Sequence, residues 1–465
     1  MSLVRRSVFL LFNGLSMQAR LRSLGLGIVV ASLIVVTVGL SRSVEPATNA
    51  AETLQATGPL KWYRGNMHTH SLWSDGDDYL EMIGLWYREH SYDFLVYTDH
   101  NTLANKERWV EVDKSKGMRA AFDKLKSRFP EGWVEERMQP DEKTKEPKLA
   151  VRLKRFDEVV AKIAEPGKFL LVQGEEITDK FGKLPIHMNA HNLRDAVPPL
   201  GGESVTEVMQ NNVNAVIAQR ERTKQPMFVH LNHPNYGYGV TAEDIAPVRG
   251  ENFFEVYNGH PGVANNGDPN HASCERMWDI INTKRLTELD LPLLYGLATD
   301  DGHNYHNIPS RSAEPGRGWV MVLATELSPA SLIEAMESGR FYSSSGVTLE
   351  KVEANAKSLT ITVRPDTGVT YTVDFIGTRQ NFDPKSEPVR DKDGNELRAT
   401  RKYSDTIGAT LKTVSNLQAG QATSAQYDFT GNELYVRARI TSSRKHPNPS
   451  TIGEPEQAWT QPMRP

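Results

Sequence analysis

Six short segments of this chain concentrate the side chains that bind divalent cations. Gly65-Asn66-Met67-His68-Thr69-His70 is followed by Ser74-Asp75-Gly76. In an extended strand, residues two apart point to the same side, so His68 and His70 can chelate one ion. Asp75, in the following loop, adds a hard oxygen. The chain has 13 His among 465 residues, so a lone His-x-His pair is weak evidence. Its company gives it weight. Tyr97-Thr98-Asp99-His100-Asn101, Gly174-Glu175-Glu176-Ile177-Thr178 and Ile186-His187-Met188-Asn189-Ala190 come next. His230-Leu231-Asn232-His233-Pro234 and Ala298-Thr299-Asp300-Asp301-Gly302-His303 complete the series.

A mixed imidazole and carboxylate set suits Zn, Mn or Fe and disfavours sites built for Ca or Mg alone. Clustered ions of that kind lower the pKa of a bound water and supply hydroxide at neutral pH. Hydrolysis on such a centre needs no side-chain nucleophile, and no Gly-x-Ser-x-Gly elbow occurs. The single cysteine, Cys274, rules out an intramolecular disulfide and a Cys-rich zinc site. A net charge of −4 gives no reason to expect nucleic-acid binding.

The elements that must position these groups are legible as short apolar runs. They include Phe94-Leu95-Val96-Tyr97, Phe169-Leu170-Leu171-Val172, Met227-Phe228-Val229 and Leu293-Leu294-Tyr295-Gly296-Leu297. Such runs suit strands buried on both faces in an α/β sheet or barrel. Almost every one is followed by His, Glu or Asp, as in a barrel whose site lies at the C-terminal ends of its strands. Residues 103–168 are Lys/Glu-rich and read as an insertion, helical around 118–128 and 151–164, with Trp109 and Trp133 packing its core. After Gly346, alternation at period two, as in Leu434-Tyr435-Val436-Arg437-Ala438-Arg439-Ile440, predicts a small β-sandwich over 347–465. At the other end, Arg5, Arg6, Arg20 and Arg22 precede an apolar run over 24–40, and no acid occurs before Glu45. That layout predicts an export signal or signal anchor over 1–43, a linker over 44–60, and a periplasmic or extracellular protein that meets the membrane only through its N-terminus.

In order and wording, the six motifs resemble the PHP (polymerase and histidinol phosphatase) family over roughly residues 61–345. The resemblance is to its exported or carbamate-hydrolase-like branch. Glu255-Val256-Tyr257-Asn258-Gly259, Gly339-Arg340-Phe341-Tyr342-Ser343-Ser344-Ser345-Gly346 and the tail Ala458-Trp459-Thr460-Gln461-Pro462 carry that part. The resemblance implies a distorted (β/α)7 barrel over 61–346 and two or three divalent ions. It implies that His68, His70, Glu176 and Asp301 hold one ion. Glu176, His100 and His187 would hold a second, and Asp75, His233 and His303 a third. The family pattern prefers Glu176 to Glu175 and Asp301 to Asp300. His187 against His191, and His233 against His230, remain open.

Asp75, His233, His303 and Asp99 are the candidate catalytic groups. Arg340, Arg64 and Asn258 are the candidate substrate contacts. Asn66 and Asp99 adjoin ligands and suit an orienting role. His260, His271 and His306 are expected in the substrate pocket or on the surface. The function expected first is a phosphoesterase acting on a small-molecule or phosphoester substrate. Carbamate, amide or carboxylic ester hydrolysis on the same metals is the alternative, and a degenerate surface binding module the second.

Overall fold

The computed structural model describes residues 59–465 apart from 142 and 251, so the segment 1–43 and nearly all of the linker lie outside the described residues. Among the described residues, no helix is long and apolar enough to cross a membrane.

Seven strands line up side by side: Lys61–Asn66, Phe94–Tyr97, Leu170–Phe181, Leu184–His191, Phe228–Leu231, Phe253–Asn258 and Tyr295–Thr299. The first three pair in parallel, as do the last three. Between them Leu170–Phe181 and Leu184–His191 form an antiparallel hairpin. Segments such as Phe-Leu-Val-Tyr at 94–97 and Phe-Phe-Glu-Val-Tyr-Asn at 253–258 are buried along their whole length, as their near-continuous apolar character requires. Helices Val205–Thr223 and Cys274–Thr287 cover the outer face through Val208, Val213, Met277 and Trp278.

The first strand also pairs with Trp319–Ala324, which starts a run of antiparallel strands through Phe341–Ser344, Pro455–Thr460, Glu433–Lys445, Tyr371–Arg379 and Ala409–Leu417. The result is a 13-stranded mixed sheet rather than a sheet closed by regular pairing into the expected barrel. Strand Tyr295–Thr299 meets the first strand only past their ends, through a parallel bridge between Thr69 and Gly302. A separate three-stranded sheet, Leu349–Ala354, Ser358–Val363 and Ser424–Asp428, packs Leu359, Ile361 and Val363 into one core with Val373, Phe375 and Ile440 of the large sheet. The alternating pattern of the C-terminal part thus builds two packed sheets, one of them continuous with the strands that carry the His, Glu and Asp motifs.

The insertion contains helices Lys116–Arg128 and Phe156–Ile163, and also a three-stranded antiparallel sheet of Trp109–Glu111, Pro147–Arg152 and Glu136–Pro140. The helical reading of 151–164 therefore starts too early. Glu136–Pro140 is largely exposed and polar, so neither period shows in its sequence. Phe122, Leu125, Val151 and Leu153 bury this layer against Leu80, Ile83 and Leu85 of helix Leu80–Glu89. Trp133 joins them, and its indole N–H donates to Glu81 Oε1 at 3.0 Å.

Burial pushes Glu81 up from 4.5 to about 7, and its other oxygen has no partner. Folded Glu81 keeps its proton at a pH where the unfolded chain has lost it. Its contribution is therefore a loss of stability that grows as pH rises from 4.5 to 7 and stays constant above. Glu81→Gln keeps an acceptor for Trp133 and carries no charge. At pH 8 it is expected to be more stable than the parent by about 3 kcal/mol, and at pH 4 equal to it. Denaturant melts at the two pH values check this, and equal differences at both would refute it.

Candidate metal centre

The first strand runs into His68 and His70, both buried and both pointing into one cluster. Their Nε2 atoms face each other at 3.1 Å, and each lies 3.2 Å from Asp301 Oδ1. Asp301 sits just past Tyr295–Thr299 with φ +50°, a left-handed conformation that an aspartate adopts at a cost, as functional sites often require. The loop after His70 turns back sharply. A Cβ on Gly76 would lie 2.4 Å from His70 O, so only glycine lets the loop bring Asp75 beside His70. Asp99 fixes the same loop. It accepts from Ser71 N, Ser71 Oγ and Ser74 Oγ at 2.6–2.8 Å. These bonds tie Asp99 to the loop that presents Asp75.

Glu176 is the hub. It faces inward from Leu170–Phe181 while its neighbour Glu175 faces the other way and accepts from Val197 N. Glu176 Oε1 lies 3.1 Å from His187 Nδ1, 3.4 Å from His233 Nε2 and 3.6 Å from His68 Nε2. Oε2 lies 2.8 Å from His100 Nδ1 and 3.3 Å from His70 Nε2. Despite these distances, Glu176 Oε2 and His187 Nδ1 make no directed hydrogen bond. Lone pairs that converge without protons between them are what a cation satisfies, so the residues fit a metal.

All nine sequence-derived ligand candidates meet here. Four-residue and three-residue sets have ligand atoms within 4.8 Å of one another: His70, Asp75, His100 and His303; His68, His70 and Glu176; His68, His233 and Asp301; and His100, Glu176 and His187. The last matches the second expected grouping. The third does not assemble as expected, because His233 lies with His68 and Asp301 while Asp75 and His303 lie with His70 and His100. Burial raises the pKa of Asp75, Glu176 and Asp301, but the facing imidazoles outweigh it and hold all three well below the usual carboxylate range. Burial, together with the neighbouring His303, lowers His70 to about 3, which keeps its lone pair free.

The open alternatives separate by position along the strands. Glu176 pairs across the hairpin with Asn189; His187, two residues to one side, reaches Glu176 Oε1 at 3.1 Å, whereas His191 lies two residues to the other side. It pairs with His230, Nε2 to Nδ1, at 2.8 Å. His230 in turn meets Glu255 at 3.3 Å. Asp300 is buried beneath the cluster, accepting from Tyr87 OH and from the backbone of Arg317 and Gly318. Asn66 ties the strand end together through His68 O, Thr69 Oγ1 and Tyr87 OH.

Of the substrate candidates, Asn258 reaches the cluster, but its amide is committed to Glu255 Oε2 and Asp301 Oδ2. Arg64 instead lies over the rings of Tyr92 and Trp319, and Arg340 pairs with Glu334. Neither guanidinium contacts the cluster. His260 does reach the rim, its ring edge-on to His303 at 5.5 Å. His271 stacks on Tyr238, and His306 packs on Asp77 O.

Glu255 is the residue that sequence reasoning passed over. It is fully buried, and its Oε1 faces His68 Nδ1 at 2.7 Å, Thr299 Oγ1 at 2.8 Å and His230 at 3.3 Å. Its Oε2 accepts from His233 N and Asn258 Nδ2 at 2.7 and 2.8 Å. Five groups thus converge on its two oxygens, and with His68 and His230 it forms a further set whose ligand atoms lie within 4.8 Å of one another. Its signals in the sequence were the Glu255-Val256-Tyr257-Asn258-Gly259 segment and a single acid inside the apolar run 253–257, neither of which gave it a role.

Fold and centre define a mixed α/β protein with a buried His, Asp and Glu cluster that fits divalent cations. No protein-family model matches the chain, and no curated protein matches it. Among solved structures, the chain is similar to a two-domain protein from Bacteroides vulgatus ATCC 8482 containing a predicted PHP-like metal-dependent phosphoesterase. That likeness has 14% identity and a TM-score of 0.36, covering 86% of this chain and 95% of that one. It is also similar to a proposed metal-dependent phosphoesterase from Bifidobacterium adolescentis ATCC 15703, at 13% identity and a TM-score of 0.26, covering 51% and 87%.

Proposed function

We propose that this chain is a metal-dependent hydrolase of the PHP type that cleaves phosphoesters, exported from the cell by its N-terminal segment. The observation that carries the reading is the division of Glu176. One oxygen serves His68, His187 and His233, and the other serves His70 and His100. A carboxylate shared this way suits two adjacent ions, with Asp301 and Asp75 completing the sets. Bound divalent ions supply an activated water and neutralise charge on the scissile group, and a pair of them clamps both oxygens of an in-line displacement.

The protein's own groups set the approach. Most ligands are buried, but the Asp75 side chain is 55% exposed and marks the open side. Beside it, Ser74 and Gly76 form one wall of a cavity of about 790 Å³ whose opposite wall is the insertion, with Arg108, Trp109, Lys114 and Lys148. Arg108, Lys114, Lys143 and Lys148 outnumber Asp77, Glu111 and Asp141 in that lining by one, a slight bias towards an anionic substrate, and the insertion is placed to choose the leaving group.

Purified protein reconstituted with Zn, Mn or Fe should hydrolyse nitrophenyl phosphate or bis-nitrophenyl phosphate, and a chelator should abolish the activity. Turnover of aryl carbamates with no phosphoester cleavage would overturn the phosphoesterase reading in favour of the alternative. Metal uptake with no hydrolysis of any of the three would favour a binding module.

A further inference from the structure

Two rings border the metal ligands without belonging to any donor set. Tyr236, 40% exposed, lies 5.1 Å from His233 and 6.0 Å from His187, centroid to centroid. His260, half-buried, lies 5.5 Å from His303 and 6.4 Å from Tyr236.

His260 is fixed at every point but one. Its backbone N–H donates to Asn258 Oδ1 at 2.8 Å, and the Asn258 amide is itself anchored on Glu255 and Asp301. The preceding carbonyl, Gly259 O, accepts from the fully buried Arg317 through Nη1 at 2.9 Å. Beyond the ring, His260 O accepts from Val263 N at 3.0 Å. The ring is held too, because its Nδ1 accepts from Gly262 N at 2.9 Å. A Cβ at position 262 would lie 2.9 Å from that ring, so the glycine leaves the imidazole its place.

The bond from Gly262 decides the tautomer. A ring nitrogen that accepts carries no proton, so the proton of His260 sits on Nε2. Among the described residues Nε2 has no hydrogen-bond partner. Unlike Glu176 Oε2 and His187 Nδ1, it is not sealed from solvent. The metal ligands offer lone pairs to cations, whereas His260 offers a proton. A donor fixed in advance and free to meet a solute stabilises negative charge that develops on a substrate oxygen.

We propose that His260 contacts the substrate, its Nε2–H donating to an anionic oxygen of the scissile group at the metal centre. The proposal deepens the hydrolase reading and rests on it. It does not depend on which ester is cleaved, because phosphoryl and carbonyl oxygens both accept.

Two substitutions separate the free nitrogen from the bonded one. Asn sets its amide oxygen near the position of Nδ1 and keeps the bond from Gly262, with nothing at the position of Nε2. Gln carries an N–H to the position of Nε2 and gives up the bond from Gly262. The measurement is calorimetric binding of inorganic phosphate and of acetate to the full metal-loaded chain, with metal content by elemental analysis. His260→Asn is expected to bind the anion about tenfold or more weakly, with the metal content and melting temperature of the parent. His260→Gln is expected to recover affinity to within about threefold of the parent. Unchanged affinity in His260→Asn, or equal weakening by both variants, overturns the proposal. Loss of metal from His260→Asn does so as well, since His260 would then support the centre rather than the substrate. Failure of the loaded parent to bind either anion has the same force. Binding of acetate without phosphate, with the same order of variants, supports the donor and sinks the phosphoesterase reading alone.

Discussion

Glu176→Gln is expected to lower hydrolysis by about a thousandfold or more and to strip metal from more than one position, because the substitution removes the shared charge from both donor sets. The shape of the side chain is unchanged. What changes is the sense of the hydrogen bonds. Asn232 Nδ2 donates to Oε1 at 2.8 Å, which favours placing the new amide nitrogen at the Oε2 position. There it faces His70 and His100 and donates to lone pairs that otherwise await a cation. Held in chelator, the variant should be less stable than the parent, because the imidazoles that keep the Glu176 carboxyl well below its usual range lose their counter-charge. Elemental analysis, melting in chelator and nitrophenyl phosphate turnover measure the three quantities. A variant that loses activity but keeps full metal content would show that Glu176 does not bridge. One that melts with the parent in chelator would show that the surrounding imidazoles do not depend on its charge.

The same residue shows how much of this centre the chain reveals to inspection. Glu175 and Glu176 are adjacent, and the family pattern preferred Glu176; strand alternation, which puts the two on opposite faces, gives the physical reason. His68 and His70 obey the same rule, and the apolar runs before each motif mark the strands that deliver them. Local periodicity stops being informative where partners are remote. Asp75 reaches His303 across 228 positions only because Gly76 admits the backbone of His70. Arg64 and Arg340 looked available because sequence shows charge and not the rings of Tyr92 and Trp319, or the carboxylate of Glu334, that engage them. The three-stranded sheet of the insertion was missed for a related reason. Its outer strand is too exposed to carry a hydrophobic period, and its place is set by the strand beside it.

Glu255 tests whether groups that touch no substrate still control the centre. Its Oε1 takes the Nδ1 proton of His68, and that bond leaves the Nε2 lone pair of His68 directed at Asp301 and Glu176. Glu255→Gln cannot reproduce this. Three groups converge on Oε1 and two donors on Oε2, so an amide N–H at either position meets donors. If the amide N–H lies on the His68 side, it makes Nδ1 an acceptor and moves the ring proton to Nε2, where it blocks the metal. If it lies on the other side, it opposes the backbone N–H of His233 and displaces that ligand. Either outcome weakens metal binding, by about 10–100-fold on the scale of other carboxylate–histidine–metal pairs. Activity at limiting metal should fall with it and recover in part as metal is raised. An effect confined to substrate affinity at saturating metal would place Glu255 in the substrate pocket. Unchanged metal affinity in a folded variant would mean that the His68 tautomer is set by its ligand set alone. The expected partial rescue separates Glu255 from Glu176, since added metal restores a misoriented imidazole but cannot replace a missing bridge.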